Sequence, residues 1–313
     1  MARFIRHQDI DPVLWDRAVR GSSTPTALAT FRYLDLLADG RWNAVVEDDY
    51  RAVLPLPWRA RLGVPYIYTP FFLHRMGVFA PHPTDGAGTR RLFDAIPKKY
   101  RQVDLLLNPD NDPSRLPSHP TPLTSHYVDL DRPFAELEAG FAANTRRNIK
   151  SSGKHFLTME YDENILSDIV TLFRNNRGRD RAVSFREADY RRLVRVAESL
   201  LREGMLDVVG VREPEGRLAA GALMLRDYDR IVFWFSGRDG RAADSKPMFF
   251  LLNEYLRQHC ASPLVFDFNG SANPNVARFY RGFGGIPYPI PIVAHSRGAI
   301  PKVWKSLRNK SRK

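Results

Sequence analysis

Cysteine is nearly absent from this sequence, since Cys260 is the only one among 313 residues. A single thiol excludes an internal disulfide and any metal site built from several thiolates. Cys260 follows His259, but nothing else marks a reactive pair, so we expect a buried thiol without a chemical role. The eight histidines are scattered and show no metal-ligand spacing. We therefore expect no metal site.

Long apolar runs are also missing. No stretch approaches the roughly 18 apolar residues that cross a bilayer, and residues 1–15 contain no apolar segment of the signal-peptide type. We therefore expect a cytoplasmic protein. The sequence has no G-x-S-x-G elbow, no P-loop and no dinucleotide fingerprint, which argues against the hydrolase, NTPase and dehydrogenase classes.

Acidic residues are outnumbered by basic ones, with 35 Asp and Glu against 47 Lys and Arg and a formal net charge of +12. Such a surface attracts anions, among them nucleotides, acidic lipids and nucleic acid. Residues 302–313 concentrate part of this charge. This basic tail is either a contact for RNA or a membrane surface, or a frayed and solvated terminus.

The length and the 43% hydrophobic content predict a globular protein of two domains. Residues 108–122 are rich in Pro, Asn, Asp and Ser, which is typical of a linker. We predict an N-terminal domain over 1–122 and a C-terminal domain over 123–313 that includes the basic tail. Strand and helix patterns alternate in both, with one helix expected over 133–150. This order predicts an α+β protein with mixed sheets flanked by helices.

The most informative pattern lies between residues 264 and 285. Residues 264–266 predict a buried strand, and Pro274 favours the start of a helix that Gly282 ends. Polar groups at a strand end that faces a helix start are typical of ligand sites in α/β folds. Such groups crowd the end of this strand: Asp267, Asn269, Ser271 and Asn273.

Residues 273–285, NPNVARFYRGFGG, are similar to the last helix of the GNAT acyltransferase fold. The aspartate-bearing strand end before them resembles the FemAB/FemX branch, and so does the stretch NTRRNIK at 144–150. That branch consists of peptidoglycan aminoacyltransferases with two GNAT-like domains. The resemblance implies the same architecture here.

The resemblance also implies the roles of particular residues. Asp267 would orient or deprotonate the attacking amine, and Tyr280 would protonate the leaving group. Their structural alternatives are that Asp267 caps a helix or braces a turn and that Tyr280 packs in the core. The loop 236–246 precedes a long predicted helix, the place where GNAT enzymes bind the pyrophosphate of acyl-CoA. Substrate-binding candidates are Arg146, Arg147, Lys150, Ser236, Arg238, Lys246, Asn269, Ser271 and Asn275.

The loop 236–246 departs from the compact glycine-containing signature of acetyl-CoA binders, so aminoacyl-tRNA fits as the donor better than acetyl-CoA. An ordinary solvated loop is the alternative. The favoured function is transfer of an acyl or aminoacyl group from CoA, a carrier protein or tRNA to an amine, without a tightly bound cofactor. A peptidoglycan precursor is one candidate acceptor. The rival functions are a non-catalytic binding protein with the GNAT fold and a basic factor that binds RNA or makes peripheral membrane contact.

Overall fold

The computed structural model describes residues 1–73, 75–180, 185–270 and 273–298. Ser271 and the basic tail 302–313 lie outside this range. The chain divides into two compact units: Met1–Leu123 together with the chain from Pro289, and Thr124–Tyr288. We call them unit 1 and unit 2.

Unit 1 is built on a six-stranded sheet in the order β1-β2-β3-β4-β5-β13. Its strands are β1 (Ala2–Ile5), β2 (Trp42–Glu47), β3 (Ala52–Arg61), β4 (Val64–Tyr68), β5 (Gln102–Leu106) and β13 (Ile292–Ser296). Its helices are α1 (Pro12–Arg20), α2 (Phe31–Ala38) and α3 (Gly86–Asp94). Strands β4 and β5 are parallel and the other pairs are antiparallel, so the sheet is mixed. Trp15 and Trp42, both fully buried, pack edge to face at the centre of the core.

The end of the described chain departs from the expected division of the sequence. The C-terminal domain was expected to run from 123 to the last residue, whereas β13 pairs with β5 in the sheet of unit 1. The pairing extends from Ile292 opposite Leu106 to Ser296 opposite Gln102. The reason is long-range, because β5 provides an unpaired edge that only a strand from the distant end of the chain fills.

Unit 2 is built on a seven-stranded sheet in the order β12-β6-β11-β10-β9-β8-β7. Its strands are β6 (Leu123–Asp129), β7 (Thr158–Tyr161), β8 (Leu206–Arg212), β9 (Leu218–Asp227), β10 (Arg230–Arg238), β11 (Val265–Asp267) and β12 (Ile286–Ile290). Its helices are α4 (Phe134–Ala139), α5 (Ala143–Ser152), α6 (Leu166–Asn175), α7 (Glu187–Arg202), α8 (Pro247–His259) and α9 (Pro274–Gly282). Strands β10 and β11 are parallel, whereas β10–β9, β11–β6, β7–β8 and β8–β9 are antiparallel, so this sheet is also mixed.

The two faces of the second sheet carry different helices. One face packs α8 and α9 over a core that contains Phe266 and Phe268. On the other face, Gly210, Gly221 and Gly237 stand side by side across β8, β9 and β10. A Cβ at any of these glycines would overlap atoms of Ile165, Ile169 or Phe173. The glycine row therefore lets α6 and the turn before it approach the sheet closely. Together with unit 1, these layers confirm the predicted α+β class.

The prediction of one helix over 133–150 is wrong in one respect, because the structure has two helices there, α4 and α5. Gly140 ends α4, and Ala142 has an extended backbone before α5 begins. Arg146 stabilises the break, because its guanidinium donates to the carbonyls of Ala139 (3.2 Å) and Phe141 (2.6 Å). Among the described residues, no helix is both long enough and apolar enough to cross a bilayer.

Candidate functional site

An opening between β10 and β11 is the most distinctive feature of unit 2. The two strands pair only from Arg230 opposite Val265 to Val232 opposite Asp267, while β10 continues to Arg238. Beyond Val232, the edge of β10 that faces β11 has backbone groups that β11 does not pair. A register shift between Phe233 and Phe235 adds a bulge to the pairing with β9, and bulges bend a strand locally. Backbone N–H groups at such an edge can bind a carbonyl oxygen.

A cavity of about 580 Å³ lies at this opening. We call it the β10 cavity. Its apolar walls are Phe233, Ala243, Pro247, Met248, Phe249, Val276 and Phe279. Its polar groups are Arg177, Ser236, Arg238, Lys246, Asn273, Asn275 and Tyr280. Apolar walls combined with convergent polar groups are the usual form of a small-molecule site.

Three cations reach the β10 cavity from three different elements. Arg177 belongs to a 3-10 turn after α6 and forms an ion pair with Asp180 at 2.8 Å. Arg238 ends β10, and its carbonyl accepts a hydrogen bond from Asn176 at 3.0 Å. Lys246 directly precedes α8 in a left-handed conformation, with φ of 53°. Their positive charges make this end of the cavity suitable for a phosphate or carboxylate.

The first turn of α8 contributes less to anion binding than a helix start usually does. Pro247 has no N–H, and the N–H groups of Phe249 and Phe250 donate to the carbonyl of Lys246. Of residues 247–250, this leaves the N–H of Met248 available. The Lys246 ammonium donates to the carbonyl of Ala243 at 2.9 Å. An anion in the β10 cavity would therefore rely on the side chains more than on the helix N-terminus.

Tyr280 lies on α9 with only 8% of its surface exposed. Its ring stacks on Phe268, with centroids 4.6 Å apart, and meets the edge of Phe233. No group among the described residues hydrogen-bonds its hydroxyl, and Tyr280 is one of the residues that line the β10 cavity. Burial, with a smaller contribution from the negative charge of Asp267, raises the pKa of Tyr280. The phenol therefore keeps its proton at neutral pH, and its hydroxyl is available as a hydrogen-bond donor.

Asp267 lies on the opposite face of the sheet from Tyr280. Phe266 and Phe268 join the core that contains Tyr280, and side chains alternate along a strand, so the carboxylate points the other way. It is fully buried. Its oxygens accept from Ser125 Oγ (3.3 Å), the Asn269 N–H (2.9 Å) and Tyr288 OH (2.7 Å), and they pair with Arg230 (3.4 Å). These contacts favour the alternative in which Asp267 braces the turn that follows β11.

The other candidate residues near the end of β11 have different positions and roles. Asn269 has a positive φ of 61° and belongs to the turn that Asp267 braces. Ser271 lies outside the described residues. Asn275 is exposed on the first turn of α9 and lines the β10 cavity. Asn273 caps that helix by accepting from the N–H groups of Asn275 and Val276, so Asp267 is not its cap.

The basic candidates on α5 do not line the β10 cavity. Arg146 stabilises the break before α5, and Arg147 donates to Asn144 Oδ1 at 2.6 Å. Lys150 is exposed near the end of the helix. The structure therefore brings together Ser236, Arg238, Lys246, Asn275 and Tyr280. Sequence reasoning missed Arg177, whose only local signal is the basic stretch NRGRDR at 176–181.

Comparison with known proteins gives a fold. Residues 141–277 match a family model described as an acetyltransferase (GNAT) domain. FemX has a similar structure at 14% identity and a TM-score of 0.66, covering 90% of this chain and 95% of its own. L-PGS from Bacillus licheniformis is similar at 12% identity and a TM-score of 0.55, covering 97% of both chains. No curated protein matches the sequence.

A domain of a putative lysylphosphatidylglycerol synthetase from Agrobacterium fabrum is also similar. It is 14% identical, with a TM-score of 0.52, and the match covers 88% of this chain and 93% of that domain. At these identities the likeness shows the fold alone. It confirms the predicted architecture of two GNAT-like domains.

Proposed function

Since residues 141–277 match a GNAT domain model and the chain has a FemX-like fold, we propose that it is an N-acyltransferase. It moves an acyl or aminoacyl group from an activated ester or thioester to an amine. The observation that carries this proposal is the β10 cavity, where an unpartnered phenol, three cations and a free strand edge line one space. The donor serves as a co-substrate, so the reaction needs no tightly bound cofactor.

The walls of the β10 cavity suit a donor that has both a phosphate and an apolar or amide-bearing part. Arg177, Arg238 and Lys246 would bind the phosphate, and the aromatic side chains would cover the remainder. CoA, carrier-protein and tRNA donors all fit this description. The acceptor is an amine, and the FemX-like fold makes a peptidoglycan precursor our first choice. Because a lysylphosphatidylglycerol synthetase domain shares the fold, a phospholipid acceptor belongs in the same assay.

The proposed chemistry uses the free edge of β10 and the phenol of Tyr280. The amine nitrogen attacks the carbonyl carbon, and N–H groups of β10 stabilise the negative oxygen that forms. When the bond to the leaving sulfur or oxygen breaks, Tyr280 protonates that atom. Solvent then returns a proton to the phenolate, since the nitrogen has released one. The lining residues include no carboxylate and no imidazole, so the amine binds in its neutral form or loses its proton to water.

Asp267 has a positioning role in this proposal. Its bond to the Asn269 N–H braces the turn between β11 and α9, and so supports the helix that carries Tyr280. A non-catalytic binding protein remains the second candidate, and one observation favours it: the first turn of α8 offers few free N–H groups. A basic factor that binds RNA or a membrane through its tail stays a prediction from the sequence.

A turnover assay with matched variants tests the proposal. Purified full-length protein is incubated with acyl-CoA or aminoacyl-tRNA and a panel of amines and phospholipids, and products are identified by mass spectrometry. Arg238→Gln should lower the affinity for the donor by about tenfold or more, which corresponds to about 1.4 kcal/mol of binding free energy. Arg241→Gln is the control, because Arg241 is 78% exposed, pairs with Asp239 and does not line the cavity. No transfer from any donor, with donor binding intact, would establish the non-catalytic alternative.

A further inference from the structure

A second cavity, of about 630 Å³, lies between the start of α5 and the outer side of α9 in unit 2. We call it the α5–α9 cavity. Asn144, Thr145, Arg278, Arg281 and Gly282 contribute to its lining. We infer that it is a second phosphate-binding site, additional to the cations of the β10 cavity. Three independent features of the described residues support this inference.

The first feature is a helix N-terminus without a cap. The N-cap residue of α5 is Ala142, whose side chain cannot accept a hydrogen bond and whose own N–H donates to the carbonyl of Gly282 at 2.9 Å. Within the described chain, the N–H groups of Ala143, Asn144 and Thr145 have no acceptor. A helix start with free N–H groups carries a partial positive charge and binds anions.

The second feature is a buried hydroxyl without a partner. Thr145 is only 3% exposed and lines the cavity, yet no described group hydrogen-bonds its Oγ1. A threonine inside a helix often donates to the carbonyl four residues earlier. Here the carbonyl of Phe141 accepts from Arg146 instead. A Cβ at Gly282 would overlap Thr145 Oγ1, so glycine at that position keeps the space beside the hydroxyl open.

The third feature is a pair of arginines on the facing helix. Arg278 and Arg281 are three residues apart on α9, which places them on the same side of the helix. Both are exposed, and neither forms an ion pair with a carboxylate among the described residues. The cavity lining contains no acidic side chain. Guanidinium groups, backbone N–H groups and a hydroxyl together match the oxygens of a phosphate.

The two cavities adjoin each other, because Phe249, Asn275 and Phe279 line both. A ligand with phosphates at two points along its length can therefore occupy both. CoA, through its 3′-phosphate, and the 3′ end of an RNA both have this chemistry. That such a ligand is the acyl donor rests on the proposed function, whereas the phosphate site does not depend on it.

The sharpest test places a carboxylate where the phosphate would bind. The backbone of Ala142, with φ of −62° and ψ of 148°, already has the conformation of an N-cap. In Ala142→Asp, the new carboxylate should accept hydrogen bonds from the N–H groups of the first turn of α5. Such N-capping stabilises a helix. Anion binding should fall at least tenfold while the melting temperature stays equal or rises. Misfolding cannot produce that combination.

Binding of three probes to the full-length protein is measured by calorimetry: CoA, dephospho-CoA and a short single-stranded RNA. The double variant Arg278→Gln, Arg281→Gln provides a second perturbation. Its control is Arg191→Gln, Arg202→Gln, which removes the same charge from exposed positions on α7. Loss of affinity for CoA but not for dephospho-CoA would assign the site to the 3′-phosphate. A loss of affinity for the RNA alone would assign the site to a phosphate of the RNA backbone.

The inference is overturned if the Ala142 and arginine variants bind all three probes as tightly as the control. It is equally overturned if the wild-type protein binds none of them at millimolar concentration. If Ala142→Asp lowers the melting temperature, the test rests on whether the double arginine variant binds the probes more weakly than its control. The assay requires no turnover. A protein that binds phosphate here but never transfers an acyl group would refute the proposed function and leave this site standing.

Discussion

Replacing Tyr280 by Phe removes one hydroxyl that lacks a hydrogen-bond partner among the described residues. The ring packing on Phe268 is unchanged by the substitution, so we expect the free energy of unfolding to change by less than about 0.5 kcal/mol. If the hydroxyl protonates the leaving group, kcat should fall by about 10² or more, because positioned proton transfer contributes that much. KM should change little, since the proton moves only in the transition state.

Tyr255→Phe is the matched control for this prediction. Tyr255 is fully buried, does not line the β10 cavity, and donates to Asp207 Oδ2 at 2.7 Å. Losing that bond should cost about 1–3 kcal/mol. For a unit of this size, each kcal/mol lowers Tm by about 2–4 °C. Turnover per folded molecule should be unchanged.

The two variants are compared by thermal unfolding and single-turnover kinetics on the same preparations. Wild-type kcat in Tyr280→Phe would show that Tyr280 packs in the core and does no proton transfer. A fall in Tm as large as that of Tyr255→Phe would refute the account of an unpartnered hydroxyl. Opposite effects, with lost turnover in one variant and lost stability in the other, are the expected result.

Three further predictions concern stability. Asp267→Asn should lower Tm by several degrees and leave kcat per folded molecule within about twofold, because an amide cannot replace a carboxylate among these donors; a 10²-fold loss of kcat at unchanged Tm would instead make it the base. Gly237→Ala should cost about 1–3 kcal/mol in denaturant unfolding, because its Cβ would overlap the carbonyl of Ile169; an unchanged midpoint would contradict the close approach of α6. His126 is 1% exposed, and burial, followed by the charge of Arg281, lowers its pKa. The unfolded chain therefore binds the proton first, so stability should fall below about pH 6.5, and His126→Gln should flatten that part of the profile.

Local sequence patterns predicted several of the elements around the candidate site. The proline that begins α9 and the glycine at its end follow from short-range rules, and the structure has them at those residues. The strand expected over 264–266 lies one residue later, at Val265–Asp267. Alternation along a strand also predicts that Asp267 and Asn269 point to the side opposite Phe266 and Phe268. The expectation that the Asp267 side faces the groove is wrong, because the β10 cavity lies on the side of Phe233 and Tyr280. Alternation distinguishes two faces without indicating what covers each.

The rest depends on contacts between distant parts of the chain. Arg177 reaches the β10 cavity because α6 and the turn before it pack closely on the glycines of three separate strands, and no local pattern around Arg177 shows this. The pairing of β13 with β5 is also long-range. The break between α4 and α5 depends on Arg146, which the basic pattern at 144–150 presented as a ligand-binding residue rather than as a donor to backbone carbonyls.

One helix connects the two cavities. The apolar side of α9 carries Tyr280 into the core, so its polar residues are confined to the remaining surface. Asn275, Arg278 and Arg281 recur there at every third position, which places them along one side of the helix. The first lines both cavities, and the other two line the α5–α9 cavity alone. Asp267 lines neither cavity; its carboxylate accepts from the Asn269 N–H and so holds the end of β11, the strand that precedes α9 in the sequence.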